Sequence, residues 1–91
     1  MSVSLFKAIS QLRNEKEFNN FIRDLCTPNE IQALKERWEV VQALYEGKLS
    51  YREIEEQVGS SLATITRIAR FLKDEPYQGY HLVLERLHKK N

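Results

Sequence analysis

Four side chains near the middle of the second half of the sequence have the types and the spacing to read DNA. They fall at positions i, i+3, i+4 and i+7, which a helix would place on one face: Ala63, Thr66, Arg67 and Arg70. A small residue lets a helix approach base edges, and its methyl group can contact a thymine methyl. Threonine can donate to a base or contact a methyl group, while arginine reaches phosphate or guanine. The pattern therefore predicts a DNA-binding face.

Two more residues belong to this predicted interface by position. Arg52 could reach the same groove from the preceding helix, and Thr64 is expected at the edge of the face, where it would meet phosphate. However, arginines on an amphipathic helix often only face solvent, and Glu53, Glu55 and Glu56 would repel phosphates if they faced DNA. A protein-interaction module therefore stays open as an alternative. Salt dependence would distinguish the two, because DNA binding through arginines weakens steeply as salt rises.

A corner of two helices over about residues 50–72 would position the face. Ser50 and Glu53 have the spacing of a capping box and begin the first helix. Gly59 suits the turn, because glycine adopts positive φ at little cost, and the second helix runs from Leu62 to Lys73. Five apolar residues are expected to pack inside the corner: Ile54, Val58, Leu62, Ile65 and Ile68.

The rest of the chain also divides into segments of helical length. Apolar residues spaced three or four apart predict a first helix over residues 3–12, followed by a second. Thr27, Pro28 and Glu30 suit the cap, the first turn and the capping box of a long third helix that ends at Gly47. Its predicted apolar stripe is formed by Ile31, Leu34, Trp38, Val41, Leu44 and Tyr45. With a last helix near the C-terminus, the sequence predicts an all-α protein of six helices and no sheet.

Length, charge and cysteine content restrict the class of protein. The 91 residues, 42% of them hydrophobic, leave room for one domain, predicted over residues 1–91. The net charge is +1, so positive charge that serves DNA binding must be local. We expect no signal peptide, because the first residues lack a charged segment followed by a long apolar one. We expect no membrane span, because no run of about 18 apolar residues occurs. The single cysteine, Cys26, fits a reducing cytoplasm and is expected to be a small buried hydrophobe.

The sequence does not predict an enzyme. His81 and His88 could share a helix face, but no cysteine or carboxylate ligand set accompanies them, and both are expected at the surface. A phosphate-binding glycine loop and a Ser/His/Asp arrangement are also not visible in the sequence. We therefore expect no catalytic residue, no metal and no cofactor.

Three short segments carry a resemblance to a known family. They are LCTPNE with AL over residues 25–30 and 33–34, GKLSYRE over 47–53, and ATITR over 63–67. In order and approximate spacing they resemble the Trp repressor family, and the ATITR run is the most specific of them. The resemblance covers about residues 20–88 and is strongest to the Trp-repressor-like regulators of Gram-positive bacteria.

The resemblance implies a transcriptional repressor built as an intertwined homodimer of six-helix protomers. Its two recognition helices would enter successive major grooves, and a dimer also agrees with the modest core of so short a chain. Residues that match DNA-contacting positions of the family are Arg52, Ala63, Thr66 and Arg67. The chain departs from the family at Glu55, where a basic residue is usual.

The resemblance also bears on tryptophan, the ligand of the tryptophan-responsive members. Arg37 and Arg67 match the two arginines that flank the ligand, and Thr27 matches the end of the pocket that supplies a carbonyl. Ile68 replaces a glycine and would fill the indole slot, while Phe71 replaces a serine and offers the amine no acceptor. We therefore predict that tryptophan is not the ligand. A repressor that needs a different small-molecule corepressor remains an alternative.

Overall fold

A computed structural model describes residues 2–74 and 76–89, and within them the chain forms six α-helices and no strand. The helices are α1 (Leu5–Ile9), α2 (Glu15–Leu25), α3 (Pro28–Glu46), α4 (Tyr51–Val58), α5 (Leu62–Lys73) and α6 (Gly79–Lys89). The predicted all-α class is therefore confirmed. None of the described helices is both long enough and apolar enough to cross a membrane. The chain divides into two compact units, Met1–Ala33 and Leu34–Asn91, and a single domain over the whole chain stays a prediction.

In the first unit, α1 is much shorter than the helix predicted over residues 3–12. Ser4 caps it, since its Oγ accepts a hydrogen bond from the Lys7 N–H at 3.0 Å. The helix ends at Ile9 and is capped by Ser10, whose hydroxyl donates to the Lys7 carbonyl at 2.6 Å. Serine hydroxyls that bond nearby backbone groups compete with helix propagation. The two serines thus limit α1 to five residues.

The starts of α2 and α3 follow local capping signals in the sequence. Asn14 Oδ1 accepts from the Glu17 N–H at 3.0 Å at the start of α2. Thr27 and Glu30 form the predicted capping box, with the Thr27 N–H 2.8 Å from Glu30 Oε1 and the Glu30 N–H 3.2 Å from Thr27 Oγ1. Cys26 lies between these helices and is half-buried, not buried as predicted, because it sits at the C-terminal end of α2.

The first unit exposes much of its apolar surface. No residue of α1 or α2 is buried, and Phe6 is 79% exposed. The large apolar side chains of this unit that lie exposed are Val3, Leu5, Phe6, Phe18 and Leu25. Where exposed apolar side chains join into one patch, they mark an interaction surface.

The second unit has a compact hydrophobic core made by all four of its helices. Helices α3 and α5 contribute two residues each, and α4 and α6 contribute one each. These six side chains are at most 1% exposed: Val40, Val41, Ile54, Ile65, Ile68 and Leu84. Helices α4 and α6 are thus each anchored in the core by one fully buried side chain.

Helices α4 and α5 are joined by a tight turn of three residues. Gly59 ends α4 with φ +87°, where an L side chain would be strained, and its N–H donates to the Glu55 carbonyl at 3.0 Å. Ser61 begins α5, since its Oγ accepts from the Thr64 N–H at 3.2 Å. The predicted helix-turn-helix segment therefore has the boundaries that its capping residues indicate.

Four of the five residues predicted inside this corner are buried or half-buried. Ile54, Ile65 and Ile68 belong to the core, and Val58 is half-buried against it. Leu62 was expected there too, but it is 50% exposed. It is the first residue of α5, where the helix end lies open to solvent.

The capping box of α4 leads to a prediction of pH dependence. Glu53 Oε1 accepts from the Ser50 N–H at 2.8 Å, and the Glu53 N–H donates to Ser50 Oγ at 3.1 Å. These hydrogen bonds, first that of the Ser50 backbone and then that of its side chain, lower the pKa of Glu53 below its ordinary value. The stabilisation is therefore complete above the ordinary glutamate pKa of about 4.3, and it is lost as pH falls through the lowered pKa.

We expect the first turn of α4 to fray in acid, and the Ser50 amide chemical shift to follow the Glu53 titration. NMR spectra recorded from pH 6 to pH 3 check this. Glu53→Gln keeps an acceptor at this position without an ionisable group, and should remove the Ser50 titration. A Ser50 titration that is unchanged in this variant would assign the effect to another carboxylate.

Candidate nucleic-acid interface

Helix α5 has one buried face and one exposed face. Ile65 and Ile68 hold it to the core of the second unit. The four residues that the spacing placed on one face are all exposed: Ala63, Thr66, Arg67 and Arg70. The structure thus brings these four candidate residues together on one side of α5, and the side opposite is occupied by packing.

The exposed face of α5 is also locally positive. The 12 residues of α5 include Arg67, Arg70 and Lys73 and no acidic residue, although the whole chain has a net charge of only +1. A concentration of one sign of charge on one helix produces a local field that attracts phosphate. The acidic residues of the corner lie instead on α4, where Glu53, Glu55 and Glu56 are exposed.

The other two candidate residues of the interface have different surroundings. Arg52 is exposed in the first turn of α4. Thr64 is half-buried, and its Oγ1 accepts a hydrogen bond from the Ser61 hydroxyl at 3.0 Å. Thr64 therefore takes part in the N-terminal cap of α5, a structural role that was not predicted for it.

Arg67 is paired with an aromatic ring one turn further along α5. Its guanidinium carbon lies 4.7 Å from the centroid of the Phe71 ring, within the range of a cation–π interaction. Phe71 is half-buried while Arg67 is exposed, so the ring is the less solvent-accessible partner of the pair. This pair was not predicted, although the i, i+4 spacing of an arginine and a phenylalanine indicates that two side chains can meet on a helix.

A pocket of about 270 Å³ opens beside this pair. It is lined by Arg67, Phe71, Tyr77, Gln78, Gly79 and Tyr80. Three residues were predicted to line an effector pocket by their match to the family's ligand site, and one of them, Arg67, lines this pocket. Arg37 is exposed on α3 and does not line this pocket, and Thr27 lies in the first unit, where it caps α3.

The two histidines differ from each other in their surroundings. His81 was expected at the surface, but it is half-buried, and its Nε2 is hydrogen-bonded to the Leu72 carbonyl. That carbonyl belongs to the last turn of α5, and carbonyls of a last turn have no hydrogen-bond donor within their own helix. His88 is exposed, as predicted, with its ring centroid 5.0 Å from that of Tyr45. Among the described residues, no group of three or more His, Cys, Asp or Glu side chains could hold a metal ion.

Comparisons with known proteins agree with this architecture. Residues 3–88 match the family model of the Trp repressor protein. The uncharacterized protein YerC of Bacillus subtilis is 42% identical over 83 residues, which are 91% of this chain and 78% of YerC. A Trp operon repressor homolog of Vibrio vulnificus is 39% identical over 59 residues, so the match spans 65% of this chain but only 58% of that relative. The crystal structure of a TrpR-like protein from Eubacterium eligens matches with a TM-score of 0.82 and 43% identity, over 92% of this chain and 84% of that one.

Proposed function

Because the chain belongs to the Trp repressor family, we propose that it is a sequence-specific transcriptional repressor that binds DNA as a homodimer and does not respond to tryptophan. The observation that carries the proposal is the exposed, positively charged face of α5. The proposal includes a cytoplasmic location and does not include an enzymatic activity.

The chemistry of the α5 face suits the major groove of DNA. Ala63 and Thr66 are exposed and small, so the first half of α5 can approach base edges closely. Arg67 can donate two hydrogen bonds to guanine, and Arg70 lies one turn from Thr66 toward the end of the helix, where it can reach phosphate. The buried opposite side of α5 supports this assignment, because a recognition helix needs a rigid scaffold behind it.

The homodimer is supported by the apolar surface of the first unit. Phe6, Leu5 and Leu25 are each about half exposed or more, and covering the exposed half of one such side chain contributes about 1 kcal/mol. A second copy of the chain would cover these residues. Light scattering of the purified protein is expected to give the mass of a dimer.

Independence of tryptophan is supported by the two residues that depart from the family. Ile68 is 1% exposed and belongs to the core, so its side chain occupies space beside α5 that a glycine would leave open. Phe71 lies under Arg67 and offers an amino group no acceptor, and a buried charge without a partner is costly. Calorimetric titration with tryptophan should therefore give no binding heat. Micromolar affinity in this titration would contradict the proposal.

Selection of genomic DNA tests the proposed function directly. Purified protein would capture genomic fragments at about 100 mM salt, where non-specific phosphate contacts are weakened. We expect the wild type to enrich a two-fold symmetric sequence, and Arg67→Ala/Arg70→Ala to enrich none. Lys16→Ala/Lys35→Ala removes the same charge from α2 and α3, and serves as the matched control that should keep the enrichment.

If the wild type enriches no sequence, either alone or with the small molecules of a cell extract, the DNA-binding proposal is contradicted. The exposed glutamates of α4 would then favour the second candidate, a helix-turn-helix dimer that binds another protein. If the wild type enriches a sequence only after the small molecules of a cell extract are added, the protein needs a corepressor.

A further inference from the structure

The contact between Arg67 and Phe71 has a consequence for which DNA sequence is read. We infer that Phe71 is a positioning residue that holds the Arg67 guanidinium where it reads one base pair, and so determines sequence specificity. The inference rests on the proposed function, since it concerns how the α5 face reads DNA.

Phe71 is well suited to be a fixed platform. It is half-buried on α5, beside Leu72, which packs against the core, and one part of its ring lines the pocket. A phenylalanine has only two side-chain torsions, and a half-buried ring has fewer rotamers to choose from than an exposed arginine. The ring is therefore the less mobile partner of the pair.

Arg67, in contrast, is a long and exposed side chain whose position must be selected from many rotamers. Its guanidinium carbon lies 4.7 Å from the ring centroid of Phe71. The attraction between a cation and the face of a ring uses the charge of the guanidinium and none of its five N–H donors. Those donors stay available for a base, while the ring reduces the freedom that binding would otherwise remove.

Position and charge have separable effects on DNA binding. The slope of affinity against salt counts neutralised phosphates and depends on charge. Discrimination between bases depends on where the donors are held, because bidentate contact with guanine O6 and N7 needs defined geometry. Loss of the Phe71 ring should therefore reduce discrimination and leave the salt slope unchanged.

The experiment compares variants that differ in the ring alone. Phe71→Leu and Phe71→Met remove the ring but keep apolar volume, and Phe71→Tyr keeps the ring. Affinities would be measured for the selected operator and for operators with each single base pair changed. We expect Phe71→Leu and Phe71→Met to lose about tenfold discrimination, chiefly at one base pair per half-site, with an unchanged salt slope. Phe71→Tyr, which keeps the ring, should keep the wild-type base preference.

A double-mutant cycle separates positioning from a merely structural role. In the Arg67→Ala background, removal of the Phe71 ring should have no further effect on base preference. Leu72→Ala is the control for packing, since it should lower the melting temperature and leave base preference unchanged. The inference is overturned if Phe71→Leu and Phe71→Met keep full discrimination, or if their effect persists without Arg67. In both cases a wild type that discriminates sequences leaves the proposed function standing, whereas a wild type that discriminates none overturns both.

Discussion

Replacement of Ile54 by alanine is expected to lower the free energy of unfolding by about 2–5 kcal/mol. Ile54 is 0% exposed and is the single buried residue of α4. Its loss would leave a cavity where α4 meets Ile65 and Ile68 of α5. A small domain is stable by only about 5–15 kcal/mol, so the variant should be largely unfolded at moderate denaturant concentration.

Denaturant unfolding followed by circular dichroism measures this effect, at one fixed protein concentration because a dimer is stabilised by mass action. Leu62→Ala is the matched control in the same corner, since Leu62 is 50% exposed. Leu62→Ala should lower the free energy of unfolding clearly less than Ile54→Ala does. Equal losses for the two variants would contradict the core described for the second unit.

The sequence predicted the helix boundaries best where they depend on nearest neighbours. Thr27 with Glu30 and Ser50 with Glu53 form capping boxes through hydrogen bonds only three residues apart, so the motif contains the whole interaction. Gly59 is similar, because its positive φ is a property of the residue and the turn.

Features that depend on packing between helices were predicted less well. The apolar stripe of α3 included Leu34 and Tyr45, which are 44% and 45% exposed, and it omitted Val40, which is fully buried. Helical spacing shows which residues share a face, but the neighbouring helices decide how much of that face is covered. The bond from His81 to Leu72 likewise depends on the placement of α6 against the end of α5, which no local motif encodes.

The exposure of the α5 face was predicted more completely than the core. All four residues of the proposed reading face are exposed on one side of α5, as their spacing required. Exposed faces are easier to predict, because they need only the helix and the identity of its buried side. The pairing of Phe71 with Arg67 was not predicted, because the sequence indicated Phe71 only as a residue that replaces a serine of the family's ligand pocket.

Separate replacement of Arg67 and Arg52 should distinguish a base contact from a phosphate contact. Arg67 lies on the reading face of α5, and Arg52 lies in the first turn of α4. We expect Arg67→Ala to weaken binding to the selected operator by about 10–100-fold, and to relax preference at one base pair per half-site. Arg52→Ala should weaken specific and non-specific DNA to a similar degree, and reduce the salt slope by about one for each phosphate that Arg52 neutralises.

Arg67→Lys makes this distinction sharper, because lysine keeps the charge but lacks the planar fork that pairs with guanine. Arg67→Lys should lose base preference, as Arg67→Ala does, but should keep the wild-type salt slope because the charge remains. Fluorescence anisotropy with the operator and with scrambled DNA, at three salt concentrations, measures both quantities. If Arg67→Ala instead weakened all DNA equally, Arg67 would be a phosphate contact. Base recognition would then fall to Ala63 and Thr66, the two small residues of the same exposed face, and would depend on thymine methyl groups more than on guanine.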